Sequence, residues 1–295
     1  MSCVQYRDHT LFIDQVSLPD IAEQSGTPTY VYSKQQIEKN YAAFHNSFNH
    51  ESTLICYAVK SNSNIAILRL LAGLGAGFDI VSAGELRRVI SAGGDPGKVI
   101  FSGVGKSTAE ISAAIDAGIF CFNVESIQEL ERIAEVAAAK KQTVNLSLRL
   151  NPNIDAKTHD YISTGLSYNK FGMQFDQINS QLDSIKKLPS INLIGIAVHI
   201  GSQITELSPF ESAVDYLIQI YEKLRDAGFD IQYIDIGGGL GITYQAEKPP
   251  AVKDYANTIL NKIGSLPVKL ILEPSEQAAM LMRPPLSACM AILNP

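Results

Sequence analysis

Lys60 closes a short apolar run, Leu54-Ile55-Cys56-Tyr57-Ala58-Val59, and is followed by Ser61-Asn62. A lysine at the C-terminal edge of a strand is held by a rigid element at a pocket mouth, where partial desolvation makes its amine a nucleophile toward an aldehyde. Three further polar signals lie at the ends of later apolar runs: His199, Gly237-Gly238-Gly239 and Glu273; Arg149 stands near the end of another. A bare glycine run lets backbone N–H groups approach phosphate oxygens without side-chain obstruction. Amine, imidazole, anion cradle and carboxylate are together what pyridoxal phosphate needs: a partner for its aldehyde, a stacking ring, a phosphate anchor and an acid for the pyridine nitrogen. Singly, each has a plainer explanation: a snorkelling surface lysine, a hydrogen-bonded histidine, a tight strand-to-helix turn, a strand stop at Glu273-Pro274, a structural ion pair for Arg149. All of those must hold at once, each at the same end of a different strand, and that coincidence argues for a site.

The elements that position these residues alternate regularly. Apolar runs at 54–59, 78–82, 99–102, 119–124, 145–150, 193–200, 233–236 and 269–273 predict eight strands, nearly continuous in hydrophobicity as in a parallel sheet buried on both faces. Between them, amphipathic stretches at 65–72, 85–92, 108–117, 126–139, 210–227 and 252–263 predict helices, several ending on glycine (Gly93, Gly118, Gly228). This pattern predicts an α/β fold, a closed (β/α)8 TIM-type barrel, which typically takes about 250 residues of the 295 present. A doubly wound open sheet is the competitor, but no GxGxxG follows the first strand. In such barrels catalytic groups cluster at the C-terminal mouth, and the loops after the seventh and eighth strands commonly bind phosphate. The first thirty residues hold one strand-like run, Thr10–Ile13, which needs a partner elsewhere. A long polar connection, 151–172, follows the fifth strand and reads as a binding loop.

A net charge of −6 without any Lys/Arg run argues against a nucleic-acid partner. Cys3, Cys56, Cys121 and Cys289 have no metal-ligand or CxxC spacing, so neither a metal nor a disulfide framework is expected. No targeting segment and no membrane-spanning run is evident, and a soluble cytoplasmic protein with a small-molecule substrate is expected.

Several segments carry a resemblance. Residues 57–62, Gly77-Phe78-Asp79, Ser102-Gly103-Val104-Gly105-Lys106, Phe122-Asn123-Val124-Glu125-Ser126, His199-Ile200-Gly201-Ser202-Gln203 and 237–241 are similar to the diaminopimelate decarboxylase family, within the fold-type III, alanine-racemase-like pyridoxal-phosphate enzymes. The likeness runs from about Thr29 to Pro274, and the stretch 155–172 resembles the diaminopimelate branch more than the ornithine one. It implies pyridoxal 5'-phosphate as cofactor and removal of CO2 from the D-centre of meso-diaminopimelate to give L-lysine. By position, the resemblance makes Lys60 the lysine that bonds the cofactor and His199 the stacking residue. Ser202 and Gly237, Gly238 and Gly239 would hold the phosphate, and Glu273 the pyridine nitrogen. Asp79, Glu85 and Arg149 match positions lining the cofactor pocket.

The family reads Glu-Pro-Gly-Arg after the eighth strand, where this chain reads Glu273-Pro274-Ser275-Glu276. Two unit charges about 4 Å apart interact by about 4 kcal/mol at an effective dielectric near 20, so a carboxylate in place of that arginine faces phosphate with the wrong sign. Beyond residue 274 the sequence diverges, and 278–286 resembles a segment found much further along the family's chains. The expectation is a chain truncated or internally deleted: residues 1–28 would pair with an absent C-terminal β-domain, and 29–295 would form the cofactor-binding barrel. That domain supplies active-site residues across a homodimer interface in the family, so impaired turnover is expected. Two alternatives stand beside it, a non-catalytic barrel that carries the cofactor and a decarboxylase of the ornithine or arginine type.

Overall fold

The computed structural model describes residues 3–48, 53–155, 171–243 and 246–275. Three short N-terminal strands, β1 (Val4–Arg7), β2 (Thr10–Ile13) and β3 (Val16–Ser17), form an antiparallel sheet in that order. The run at Thr10–Ile13 is therefore not a lone strand, as the sequence suggested, but the centre strand of its own sheet. The chain reverses through positive-φ residues Asp8, His9 and Asp14, the residue types that tolerate the left-handed region when glycine is absent. The Asp14 carboxylate accepts from the Ser33 hydroxyl at 2.7 Å, tying this sheet to the cap of the first long helix.

Eight parallel strands then close into a barrel: β4 (Thr53–Ala58), β5 (Gly77–Ile80), β6 (Val99–Phe101), β7 (Cys121–Val124), β8 (Val144–Arg149), β9 (Ile191–Ala197), β10 (Tyr233–Asp235) and β11 (Lys269–Leu272). Each of the eight apolar runs became one strand, and β11 pairs with β4 to complete the cylinder. The helices are α1 (Leu18–Ser25), α2 (Lys34–Ser47), α3 (Ile65–Gly73), α4 (Ala83–Ser91), α5 (Thr108–Ala117), α6 (Ile127–Ala139), α7 (Phe175–Asn179), α8 (Leu182–Ile185), α9 (Ser208–Asp226) and α10 (Val252–Ile263). Three strand-to-helix loops end on a serine followed three residues later by glutamate. The Ser82, Ser107 and Ser126 hydroxyls accept from the N–H groups of Glu85, Glu110 and Glu129. Each such cap is worth about 1 kcal/mol. Glu110 returns the bond to the Ser107 N–H, whereas Glu85 and Glu129 reach one residue further back, to the Val81 and Glu125 amides at 2.7 and 3.0 Å.

The main core lies between strands and helices, with Tyr57, Phe78, Phe101 and Phe122 fully buried. Burying a side chain of this size contributes about 1.5–3 kcal/mol. Inside the cylinder the apolar layer is thin: Cys56, Ile100, Cys121 and Ile271. In a parallel sheet, side-by-side residues face the same way and alternate residues share a face. Asp79 is beside Ile100 and Asp235 beside Ile271, while Asn123 and Glu273 lie two residues beyond Cys121 and Ile271. The mouth-side layer of the barrel interior is consequently polar.

Candidate active site

Lys60 sits in a single 3-10 turn, Val59–Ser61, directly after β4. Its Nζ lies 3.5 Å from Asp79 Oδ2, and its side chain is 44% exposed while that of Asp79 is 0%. The amine is reachable from the mouth, and its anchor is not. The sequence suggested an amine made nucleophilic by desolvation. Desolvation does pull the Lys60 pKa down, but Asp79 and Glu273 outweigh it and leave it raised. Before any carbonyl partner arrives, the carboxylates hold Lys60 as ammonium.

His199 follows β9 and its Nδ1 accepts from the Gly238 N–H at 3.3 Å, so Nδ1 is unprotonated. Burial, then Lys60 and Arg149, push its pKa well below 6.5, and the ring is neutral near pH 7. A flat neutral imidazole fits a stacking role. The glycine run wraps closely around it. A Cβ on Gly237 would strike the Val198 carbonyl, one on Gly238 the Glu273 carbonyl, and one on Gly239 the Gly201 carbonyl. Packing alone thus requires all three glycines, two of them at positive φ (67° at Gly237 and 104° at Gly239). Gly237 N–H is spent on Asp235 Oδ1 at 2.9 Å and Gly238 N–H on His199, while Gly239 N–H donates to none of the described residues. Ser202 lies half-buried in the turn beside this run, where Ile204 N–H donates to the Gly239 carbonyl at 2.8 Å.

Glu273 directly follows the eighth barrel strand and is 6% exposed. Its pKa is raised well above 4.5, first by burial and then by Asp235 and Asp79, against a smaller opposing pull from Lys60. Glu85 stands at the N-terminus of α4, within electrostatic reach of Asp79 and Lys60, and burial raises its pKa. Arg149 lies at the mouth end of β8, 2.5 Å from Glu125. All ten candidate residues therefore gather at one end of the barrel. The structure adds four that sequence inspection did not single out as site residues. Asn123 and Asp235 lie in the polar layer, Glu125 orients Arg149, and buried Lys106 donates to Glu129 at 2.6 Å and to the Gly103 and Asn123 carbonyls, both at 2.8 Å. Asn123, Glu125 and Asp235 share a signal, a polar side chain inside or just after an otherwise apolar strand, whereas Lys106 lies in the loop between β6 and α5 and carried none. The charge reversal at Glu276, the tail from 276 and most of the 151–172 connection lie outside the described residues. Among the described residues no cluster is suited to a metal ion, and no helix is long and apolar enough to cross a membrane.

A reachable amine, a neutral imidazole and a buried proton-holding carboxyl on one rim are the equipment of a barrel that holds an aldehyde-bearing heteroaromatic cofactor. Comparison with known proteins gives the same class. The pyridoxal binding domain of pyridoxal-dependent decarboxylases matches residues 34–278, and the chain belongs to that family. It is 48% identical over 275 residues to the diaminopimelate decarboxylase of Haemophilus influenzae, covering 93% of this chain and 66% of that protein. The Pseudomonas aeruginosa diaminopimelate decarboxylase is 47% identical over 274 residues, with the same coverage of 93% and 66%. The crystal structure of Helicobacter pylori diaminopimelate decarboxylase complexed with L-lysine superposes with a TM-score of 0.85 at 39% identity, covering 88% of this chain and 66% of that one. A lysine/ornithine decarboxylase from Vibrio vulnificus, 24% identical with a TM-score of 0.74 over 88% of this chain and 66% of that one, speaks for the fold alone. The chain thus spans about 66% of the length of the curated relatives it matches.

The residues present fit pyridoxal phosphate. Asp79 Oδ1 is buried with no partner among the described residues, an orphaned acceptor aimed into the polar layer. Lys60 offers the only side-chain amine on this rim that is both exposed and ringed by carboxylates among the described residues.

Proposed function

We propose that this chain takes part in the decarboxylation of meso-diaminopimelate to L-lysine, with pyridoxal 5'-phosphate as cofactor. The observation that carries the proposal is the convergence of Lys60, Asp79, His199 and Glu273 on one rim, in a chain 48% identical to a diaminopimelate decarboxylase. When bound, the cofactor supplies an electron sink for the pair released with CO2. Lys60 contributes the amine for the cofactor aldehyde, and Asp79 orients it and takes up its positive charge. His199 offers a neutral face for stacking. Glu273 keeps a proton at the buried end of the pocket, where a ring nitrogen needs one. Gly239 and Ser202 offer donors toward a phosphate, and Arg149, fixed by Glu125, keeps positive charge at the mouth. An amino-acid ligand is supported by the L-lysine complex of the H. pylori relative. A cytoplasmic setting is supported by the acidic composition and the free thiols Cys3, Cys56 and Cys121.

The test is to mix the purified chain with pyridoxal phosphate, record the visible absorption of the bound cofactor, and assay lysine release from meso-diaminopimelate alongside ornithine and arginine. The expected result is an absorption band that Lys60→Ala abolishes and CO2 release confined to diaminopimelate. A band without product from any of the three would favour a cofactor carrier, and turnover of ornithine or arginine would overturn the substrate assignment.

A further inference from the structure

Glu273 is not alone at the closed end of the pocket. Asp235, 1% exposed, lies on the neighbouring strand, and the Asn123 amide nitrogen donates to both carboxyls, at 3.2 Å to Asp235 Oδ2 and 3.3 Å to Glu273 Oε1. The same nitrogen lies 3.2 Å from the Ser102 hydroxyl. Asp235 Oδ1 accepts from the Gly237 N–H, and the two carboxyls stand within hydrogen-bond reach of each other. The groups that face the pair are Asp79 from β5, Cys56 from β4, Cys121 from β7, Tyr255 from α10 and Lys60 from the turn after β4. Lys60 is the one cation among them, and it already serves Asp79. Two touching carboxyls in a dry interior do not both ionise with so little compensation.

We infer that Asp235 is a positioning residue for Glu273: in the cofactor-free chain the two carboxyls hold one proton between them, and this proton passes to the ring nitrogen of pyridoxal phosphate on binding. The inference rests on the assignment of Glu273 to that nitrogen. The step balances: one O–H bond breaks, one N–H bond forms, the pair goes from one negative charge to two, and the ring gains one positive charge. Nothing is oxidised or reduced. Burial raises Asp235 only to about 6 but pushes Glu273 well above its ordinary range, with Asp235 adding to the push, so near neutrality the shared proton rests mainly on Glu273.

The test has two arms. Infrared titration of the cofactor-free chain detects a buried protonated carboxyl directly. It is expected near pH 7 in the wild type, with the acid dissociation constant of the remaining group rising at least about tenfold in Asp235→Asn and in Glu273→Gln, since removing a like charge eases ionisation. Calorimetry of pyridoxal phosphate binding in buffers of different ionisation enthalpy counts protons exchanged. Asp235→Asn is expected to draw more protons from solvent per cofactor bound than the wild type, which supplies its own. A lost contact alone would weaken binding without moving that count. Absence of a protonated carboxyl in the wild type, or equal proton counts in both proteins, overturns the inference. If the chain binds no cofactor, the assignment of Glu273 falls, and the infrared arm still decides whether the pair shares a proton.

Discussion

Arg149 and Glu125 form an ion pair at 2.5 Å with side chains only 11% and 4% exposed. The second oxygen of the same carboxylate accepts the Gly172 N–H at 2.9 Å, and the first also accepts from Gly103 at 3.2 Å. One acid therefore fixes a cation at the mouth, the loop after β6 and the residue at which the chain returns to the barrel.

Removing that acid leaves Arg149 buried without its counter-charge. Breaking one side of a buried pair typically costs about 3–5 kcal/mol. Glu125→Ala is expected to lower stability by that order, read as the free energy of unfolding in urea. A double variant that also replaces Arg149 with Met should recover part of the loss. An unchanged unfolding midpoint in Glu125→Ala would contradict the arrangement.

Gly238 has an ordinary backbone conformation, so its requirement is spatial. A methyl group there meets the Glu273 carbonyl, a backbone atom that cannot rotate away. Gly238→Ala is expected to cost about 1–3 kcal/mol by overpacking. Thermal unfolding measures this, and cofactor affinity should fall with it because Glu273 and His199 are displaced together. Gly105, whose Cβ position is open, serves as the control.

The lowered pKa of His199 predicts a slope in stability. Its folded value lies below the unfolded one, near 6.5, so the unfolded chain binds more protons in that window and stability falls as pH drops below about 6.5. Asp235 and Glu273, raised in the fold, act with the opposite sign: their contribution is fullest at low pH and is lost as pH rises, through about 6 for Asp235. The two slopes partly cancel, so the wild-type profile alone cannot assign them. The difference in unfolding free energy between wild type and His199→Gln, followed from pH 7.5 to 5, isolates the histidine. The wild type should lose ground to the variant on acidification; a constant difference would mean that His199 is not buried in its neutral form.

The barrel was legible because each strand is a run of apolar residues bounded by polar turns, and the helix limits at 108–117 and 252–263 coincide with the structure. The candidate cluster was legible because strand ends converge by topology. Other features were not. β1 reads Val4-Gln5-Tyr6-Arg7 and β3 has two residues, too short and mixed to signal a sheet without the turns between them. α2 is polar over most of its surface and did not stand out from its flanks. Asp235 and Asn123 are separated by 112 residues, and Glu273 lies 150 from Asn123, so nothing local announces their contact. The sign of the Lys60 shift likewise depends on carboxylates brought in from other strands.

Leu150 and Met173 are bridge partners, with Met173 N–H donating to the Arg149 carbonyl and Asn151 N–H to the Met173 carbonyl, both at 2.9 Å. The chain before residue 151 and the chain after residue 172 are therefore held together on one rung of the cylinder wall. A splice made on either side of that rung leaves the staves in register, which makes the junction a natural graft point.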